Sequence, residues 1–232
     1  HLLSKKEKEI TAYHEAGHAL VSASLSHTDP VRKISVISRG RAGGYTLKLP
    51  AQDKHLKTRA EFIDEMAVLM GGYSAEKLVF KDITTGASND LEKASEIARS
   101  LVKEYGMSEK LGPVTFGARE ELMFLRQAGG EYQNYSDSIA TQIDREVSRL
   151  LFNAENTAQM ILRKKRKLLE KIARVLIEKE TIDTSACTHP AGHCFGSDGG
   201  SGIPVNLKVA EGRGGEVEVW ELDNLKEKHT IT

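Results

Sequence analysis

Two histidines, His14 and His18, stand four residues apart inside a stretch that the sequence predicts to be a helix. Ser4 and Glu7 form an S-x-x-E capping box, and a helical pattern follows from about Lys5 to Ser26. Because a helix turns about once every 3.6 residues, side chains four apart project from the same face, so both imidazoles can share one metal ion. The sequence therefore predicts a metal-binding helix near the start of the chain.

The five residues from His14 to His18 make an H-E-x-x-H motif, in which Ala16 and Gly17 add no bulk near the metal. Glu15 is rotated by about 100° from His14, so its carboxylate can reach a water on a zinc ion without binding the metal itself. Zinc lowers the pKa of such a water to about 7, and Glu15 can take its proton and pass it to a leaving amine. The same motif also arises by chance in helices, as a buried histidine or a surface pair.

A catalytic zinc ion needs a third protein ligand and an open fourth position. Spacing alone does not choose that ligand, and the candidates are Glu76, Asp82, Asp90, Glu92, His27 and His55. The identity of the third ligand therefore stays open at the level of the residue pattern.

The rest of the pattern predicts a mainly α fold with a small β-sheet beside the zinc helix. The predicted elements are strands at 32–38 and 45–50, a helix at 58–70, a break at Gly71-Gly72 with a shorter helix after it, a helix from about Asn89 to Tyr105 capped by Gly106, and two helices packed as a hairpin between Tyr135 and Lys179. These elements fill residues 1–183, which we predict to be one metallopeptidase domain.

Residues 184–232 differ in character and are predicted to form a divergent tail, with a linker followed by a β-hairpin around Gly212–Gly215. Cysteine and histidine cluster at its start, and this cluster is an open candidate for a second metal site: Cys187, His189, His193 and Cys194. A disordered or divergent extension is the default interpretation of the tail, and a misread or spliced gene end is a further alternative. Two cysteines are too few for a disulfide framework and are typical of a reducing compartment.

Composition excludes several classes of function. Lys+Arg and Asp+Glu are both 33, so the net charge is zero and no nucleic-acid partner is indicated. The basic run 163–167 is predicted to be a solvated helix end or hairpin turn.

No G-x-x-x-x-G-K-[ST] phosphate loop occurs, so we do not expect the chain to hydrolyse ATP. No apolar run approaches the roughly 18 residues of a membrane span, and the chain opens at His1, so we expect a soluble fragment of a longer protein.

Several sequence blocks resemble the FtsH family of AAA+ zinc metalloproteases. The similar blocks are "AYHEAGHALV" (12–21), "GGYTLKLP" (43–50), "LMGGYSAEKLVF" (69–80), "ITTGASNDLEKASEIARSLVKEYGMSEKLGPVTFG" (83–117) and "NYSDSIATQIDREV" (134–147). The resemblance covers about residues 4–183 and rests on several independent blocks. It implies the fold of the FtsH peptidase domain, a helical zincin domain.

The resemblance also implies roles for particular residues. His14 and His18 would bind Zn²⁺, Asp90 of the "SNDL" block would be the third ligand, and Glu15 would be the general base. Helix capping is the alternative role for Asp90. Glu76 is the next candidate ligand, although a carboxylate that supports a ligand is its expected role.

Further expectations concern the whole protein. The resemblance implies a zinc endopeptidase that cleaves unfolded or membrane-protein polypeptides, which pair with the first two strands as an added strand. It implies a homo-hexamer fed by an attached AAA+ ATPase, in a full-length protein anchored in a membrane, with the peptidase domain on the cytoplasmic side of a bacterial inner membrane. Two alternatives stay open: a catalytically silent oligomerisation scaffold, and a soluble zincin that works alone.

Overall fold

A computed structural model describes residues 4–37, 44–48, 56–116 and 135–183, together with two strands at 206–210 and 217–221. Helices dominate, with one short 3₁₀ turn at Thr85–Ala87. The elements are α1 (Lys5–Ser22), β1 (Val31–Ser35), β2 (Tyr45–Lys48), α2 (Arg59–Val79), α3 (Ser88–Lys103), α4 (Asp137–Lys164), α5 (Arg166–Lys179), β3 (Thr181–Asp183), β4 (Asn206–Ala210) and β5 (Val217–Glu221). The predicted mainly α fold with a small sheet is confirmed.

Helix α1 begins as the sequence predicts. The amide of Glu7 donates to the Ser4 hydroxyl at 3.2 Å, and the amide of Ser4 donates to the Glu7 carboxylate at 2.7 Å, which completes the capping box. The helix ends at Ser22 rather than near Ser26. The hydroxyl of Thr28 donates to the Ser22 carbonyl at 2.7 Å and so satisfies one of the carbonyls that a helix end leaves free.

The predicted break at Gly71-Gly72 is wrong, because α2 runs without interruption from Arg59 to Val79. The two glycines serve contact with α1 instead. A β-carbon on Gly71 would lie 2.9 Å from the carbonyl oxygen of Gly17, and one on Gly72 would overlap the His14 imidazole. Glycine costs about 1 kcal/mol relative to alanine inside a helix, and packing of the buried α1–α2 interface outweighs that cost here.

Among the described residues, the sheet beside α1 has three strands in the order β2-β1-β3, and both pairs are antiparallel. Strand β3 was not predicted, since the predicted helices end at Lys179 and no strand was assigned to the residues that follow. Glu180 turns the chain there by adopting a left-handed conformation with φ of +60°. Its carbonyl then accepts a hydrogen bond from the Val36 amide at 2.9 Å, which brings β3 against β1.

The last two helices are present, but the predicted hairpin packing between them is wrong. Only Lys165 separates α4 from α5, whereas an antiparallel helix pair needs a connection of about 2–5 residues. Helix α4 packs mainly against α2 and α3, and α5 packs mainly against α1. The basic run 163–167 lies at this junction.

The predicted end of α3 holds within a few residues. The helix ends at Lys103, and Gly106 adopts φ of +59°, a conformation that glycine tolerates best.

In the tail, β4 and β5 pair antiparallel, with Leu207 opposite Trp220 in the register. The linker, the loop between these strands and the cysteine–histidine cluster lie outside the described residues, so the domain boundary at 183 stays a prediction. Among the described helices, none combines the length and apolarity that crossing a bilayer requires.

Lys81, which follows α2, offers a test of backbone strain near the site. It is exposed and adopts φ of +59°, where a β-carbon costs about 1–2 kcal/mol. We expect Lys81→Gly to unfold with a free energy about 0.5–1 kcal/mol higher than Lys81→Ala, after part of the gain is lost to the freer unfolded chain. Urea unfolding of the two variants measures this difference, and equal midpoints at equal slopes would contradict it.

Candidate metal centre

Three side chains from two helices converge on one point. Nε2 of His14 and Nε2 of His18 are 3.0 Å apart, and Oδ2 of Asp90 lies 3.1 Å from the first and 3.2 Å from the second. Both imidazoles come from α1, where the spacing of four residues sets them on one face, and Asp90 comes from the first turn of α3. The structure thus brings together three residues whose ligating atoms face one another.

This triangle fits a zinc ion. Zinc binds imidazole nitrogen and carboxylate oxygen at about 2.0–2.2 Å with tetrahedral geometry, which separates neighbouring ligand atoms by about 3.3 Å. The observed separations of 3.0–3.2 Å are close to that value. The donor set of two imidazoles and one carboxylate is also typical of catalytic zinc sites, which leave a fourth position open.

Glu76 orients His14 through Nδ1, the ring nitrogen that does not belong to the triangle. Its side chain is 1% exposed, and Nδ1–H of His14 donates to its Oε1 at 2.7 Å. The second oxygen, Oε2, accepts from the amide of Thr84 at 2.7 Å. This one carboxylate therefore ties the α1 imidazole to the loop that leads into α3 and Asp90. Such a partner fixes the tautomer of a metal-binding histidine.

His18 is held by the backbone of α2. Its Nδ1–H donates to the carbonyl of Val68 at 2.7 Å, which leaves Nε2 directed toward the triangle. The approach of α2 to α1 at the glycines makes this bond possible, since a larger residue at Gly72 would displace the neighbouring His14 ring. Both histidines thus have a partner at Nδ1 that presents Nε2 for a metal.

Glu15 lies beside the triangle and contacts β2. Its side chain is buried, and Oε2 accepts a hydrogen bond from the Thr46 hydroxyl at 2.8 Å. A β-carbon on Gly44 would lie 2.9 Å from Oε1, so the glycine leaves room for the second oxygen. These residues line a cavity of about 770 Å³ bounded by α1, β2, α2 and the loop before α3.

Charge coupling in the cluster is strong. Burial lowers the pKa of His14, but hydrogen bonds to Asp90 and Glu76 outweigh it and raise the pKa to about 9. Burial raises the pKa of Asp90, but its hydrogen bonds with His14 and His18 hold that pKa far below its usual range. The pKa of Glu76 is also lowered, because the bonds from His14 and the Thr84 amide outweigh its burial. Without a metal ion, the cluster therefore favours a protonated His14 between ionised carboxylates.

This proton must leave when a metal binds, so zinc affinity depends on pH. A ring with a pKa of about 9 is mostly protonated at pH 6–8, and Nε2 must lose its proton to ligate. We expect the apparent Kd for Zn²⁺ to fall by about tenfold for each pH unit over this range and to level off near pH 9. Competition with a calibrated chelator measures the Kd, and a value that is constant from pH 6.5 to 8.5 would contradict the prediction.

The other candidate ligands lie elsewhere. His27 pairs with Asp64 at 3.0 Å on the surface, and Asp82 is exposed, with its carboxylate accepting from the Ile83 amide. Glu92 is exposed on α3 and does not join the cluster, and His55 lies outside the described residues. Within the described part of the chain, His14, His18 and Asp90 are the set that can hold a metal.

The sequence did not point to three contacts that support this site. The Val68 carbonyl, the Thr84 amide and the Thr46 hydroxyl each bond a site residue, at 2.7, 2.7 and 2.8 Å. Two are backbone groups, which no residue type signals. Thr46 had one available signal, because it lies in the "GGYTLKLP" block that resembles the FtsH family.

Comparison with known proteins identifies the family. The sequence profile of peptidase family M41 matches residues 1–189. Similar curated proteins include "ATP-dependent zinc metalloprotease FtsH 1" of Thermomicrobium roseum, 52% identical over 181 residues that cover 78% of this chain and 28% of the relative. The FtsH proteases of Rubrobacter xylanophilus and Thermotoga maritima are 50% and 49% identical over 182 and 183 residues, covering 78% of this chain and 28% and 30% of the relatives.

The chain thus spans less than a third of the length of these relatives. The family profile nevertheless extends over most of the chain and includes all of α1, α2 and α3, which carry the histidine and aspartate cluster. On this evidence the chain belongs to peptidase family M41 and is the peptidase domain of an FtsH-family zinc protease.

Proposed function

We propose that this chain is a zinc-dependent endopeptidase that hydrolyses peptide bonds of unfolded polypeptides. The observation that carries the proposal is the triangle of His14, His18 and Asp90, whose ligating atoms are 3.0–3.2 Å apart with Glu15 beside them. His14 Nε2, His18 Nε2 and Asp90 Oδ2 would hold Zn²⁺, and Glu15 would be the general base. Glu76 supports His14 rather than binding the metal in this proposal.

The reaction divides between the ion and Glu15. When bound, zinc is a Lewis acid that polarises a peptide carbonyl and makes a water acidic enough to lose its proton near pH 7. The Glu15 carboxylate accepts that proton as the water attacks the carbonyl carbon. It then delivers the proton to the departing amine nitrogen as the C–N bond breaks, so that the base ends the cycle ionised.

The substrate would add as a strand along β2, on the side away from β1. In the described sheet β2 is an outer strand, with β1 as its neighbour, and its residue Thr46 contacts Glu15. A peptide paired there gains backbone hydrogen bonds that do not depend on sequence, which suits an enzyme acting on many unfolded chains. Folded proteins present few extended segments with free backbone groups, so they would be poor substrates.

In this proposal, the full-length protein would add substrate delivery and an enclosed chamber to the activity of the peptidase domain. An attached AAA+ ATPase would unfold substrates and deliver them, and a homo-hexamer would enclose the sites. The FtsH names of relatives that are about half identical support this partnership, as does the word "ATP-dependent" in those names. Membrane anchoring would be a property of the full-length protein, with the peptidase domain on the cytoplasmic side of a bacterial inner membrane and a role in the quality control of membrane proteins.

Removal of the metal tests the proposal. We expect the zinc-loaded chain to degrade casein, an unfolded model substrate, and a chelator to abolish cleavage because the Lewis acid is lost. Addition of Zn²⁺ in slight excess over the chelator should restore the rate. Gel analysis of casein measures cleavage, and size-exclusion chromatography of the same sample gives the oligomeric state.

Two other outcomes would change the assignment. Hexameric, zinc-loaded material that does not cleave casein would support the silent scaffold. Robust cleavage of a folded protein by the isolated chain would support a zincin that works alone, because no motor is then needed to unfold the substrate. A short unstructured fluorogenic peptide serves as a second substrate, since its hydrolysis needs no unfolding.

A further inference from the structure

Strand β2 holds the Glu15 carboxylate at Oε2, and Gly44, which precedes the strand, lies close to Oε1. The Thr46 hydroxyl donates to Oε2 at 2.8 Å, and the same hydroxyl lies 3.4 Å from the Glu15 carbonyl. At the other oxygen, the backbone of Gly44 approaches so closely that a β-carbon there would lie 2.9 Å from Oε1. A buried carboxylate needs such a donor, because an unpaired charge loses its hydration without compensation.

The position of Thr46 is itself fixed by the core. Thr46 is opposite Ile34 in the β1–β2 register, and Ile34 is fully buried. A slip of one residue would turn the Thr46 side chain to the other face of the sheet, so burial of β1 fixes the side on which the hydroxyl projects. The hydroxyl therefore reaches Glu15 from a fixed face of the sheet. Without it, the Glu15 carboxylate would lose the hydrogen bond that favours one rotamer over the others.

We infer that Thr46 is a positioning residue for the reaction: its hydroxyl holds Oε2 of Glu15 in the orientation that receives the proton of the attacking water. The inference rests on the proposed function, since it assigns Thr46 a role through Glu15. It also links substrate binding to catalysis, because β2 is the strand on which the substrate would add. A peptide that pairs with β2 would stabilise the strand that carries Thr46, the residue that orients Glu15.

Isosteric replacement tests this role. Thr46→Val keeps the shape and the β-branched side chain but removes the hydroxyl, whereas Thr46→Ser keeps the hydroxyl. With an unstructured fluorogenic peptide and the zinc-loaded chain, we expect Thr46→Val to lower kcat by about 10- to 100-fold, as misplaced catalytic groups do. KM and the Kd for Zn²⁺ should stay within about twofold, because neither a metal ligand nor a backbone pairing group changes.

Two further variants separate a local role of Thr46 from a general disturbance of the sheet. Thr46→Ser should keep kcat within about threefold of the parent chain, since the donor remains. Arg32→Lys alters an exposed residue of the neighbouring strand β1, outside the proposed substrate-binding strand, and should leave kcat unchanged. A merely structural role of Thr46 would instead raise KM or weaken zinc binding in Thr46→Val.

A crystal structure of Thr46→Val gives a reading that does not depend on turnover. We expect the Glu15 carboxylate to leave its orientation or to adopt more than one. An unmoved carboxylate, or an unchanged kcat in Thr46→Val while Glu15→Gln is inactive, would overturn the inference and leave the proposed function intact. Undiminished cleavage by zinc-loaded Glu15→Gln would instead remove the proposed function, so the two failures are distinguishable.

Discussion

Glu15→Gln is expected to bind zinc as the parent chain does and to lose casein cleavage by roughly 10²–10⁴-fold. Glutamine keeps the size of the side chain and can still contact the Thr46 hydroxyl, which lies 2.8 Å from the carboxylate oxygen. Its amide oxygen cannot carry the proton of the water, so the step that generates the nucleophile loses its base. Zinc content by atomic absorption and the rate of casein degradation, measured on one sample, check both parts.

A matched control lies on the same helix. Glu9 is an exposed carboxylate of α1 that faces away from the cavity, so Glu9→Gln changes the net charge by the same amount without touching the site. It should retain both zinc and activity. If Glu15→Gln cleaves casein at the parent rate while it holds one zinc ion, Glu15 is not the base, and another group in the cavity must take the proton.

The part of the site carried by one helix could be predicted from the sequence. The spacing of His14 and His18 fixes their common face wherever the helix lies, because 3.6 residues make a turn. Asp90 is 72 residues further along, and only the resemblance to a family selected it from six candidates. Its approach to the histidines depends on the packing of α2 and α3 against α1, which residue spacing does not encode.

The errors in the predicted fold share a physical origin. Gly71-Gly72 reads as a helix break by local propensity, yet a helix tolerates both glycines when they allow α1 to approach closely. Strand β3 has only three residues, and its pairing with β1 follows from the left-handed turn at Glu180. Glycine is the usual residue in that conformation, so a glutamate there gives no signal of a turn. In each case a tertiary contact outweighs a local preference, and a single sequence does not display such contacts.

Asp90→Ala is expected to weaken zinc binding by about 10²–10³-fold and to abolish cleavage. Zinc bound by four protein ligands gains about 10–16 kcal/mol, so one ligand contributes about 2.5–4 kcal/mol, and 1.4 kcal/mol corresponds to a factor of ten. Competition with a chelator at fixed pH measures the loss. Asp82→Ala removes an exposed carboxylate from the loop before α3 and is the matched control, for which we expect an unchanged Kd.

Glu76→Gln distinguishes a ligand from the residue that supports a ligand. Because Glu76 bonds Nδ1 of His14 rather than facing the triangle, its loss should weaken zinc binding by about 10–100-fold. The losses of zinc affinity expected for Asp90→Ala and Glu76→Gln adjoin at about 100-fold, so affinity alone does not tell a ligand from the residue that supports it. The coordination of the metal must therefore be observed directly. In the cobalt-substituted protein, Asp90→Ala should change the visible spectrum because a ligand is replaced, whereas Glu76→Gln should leave the band positions nearly unchanged. The opposite pattern would make Glu76 the third ligand and reduce Asp90 to a residue of the first turn of α3.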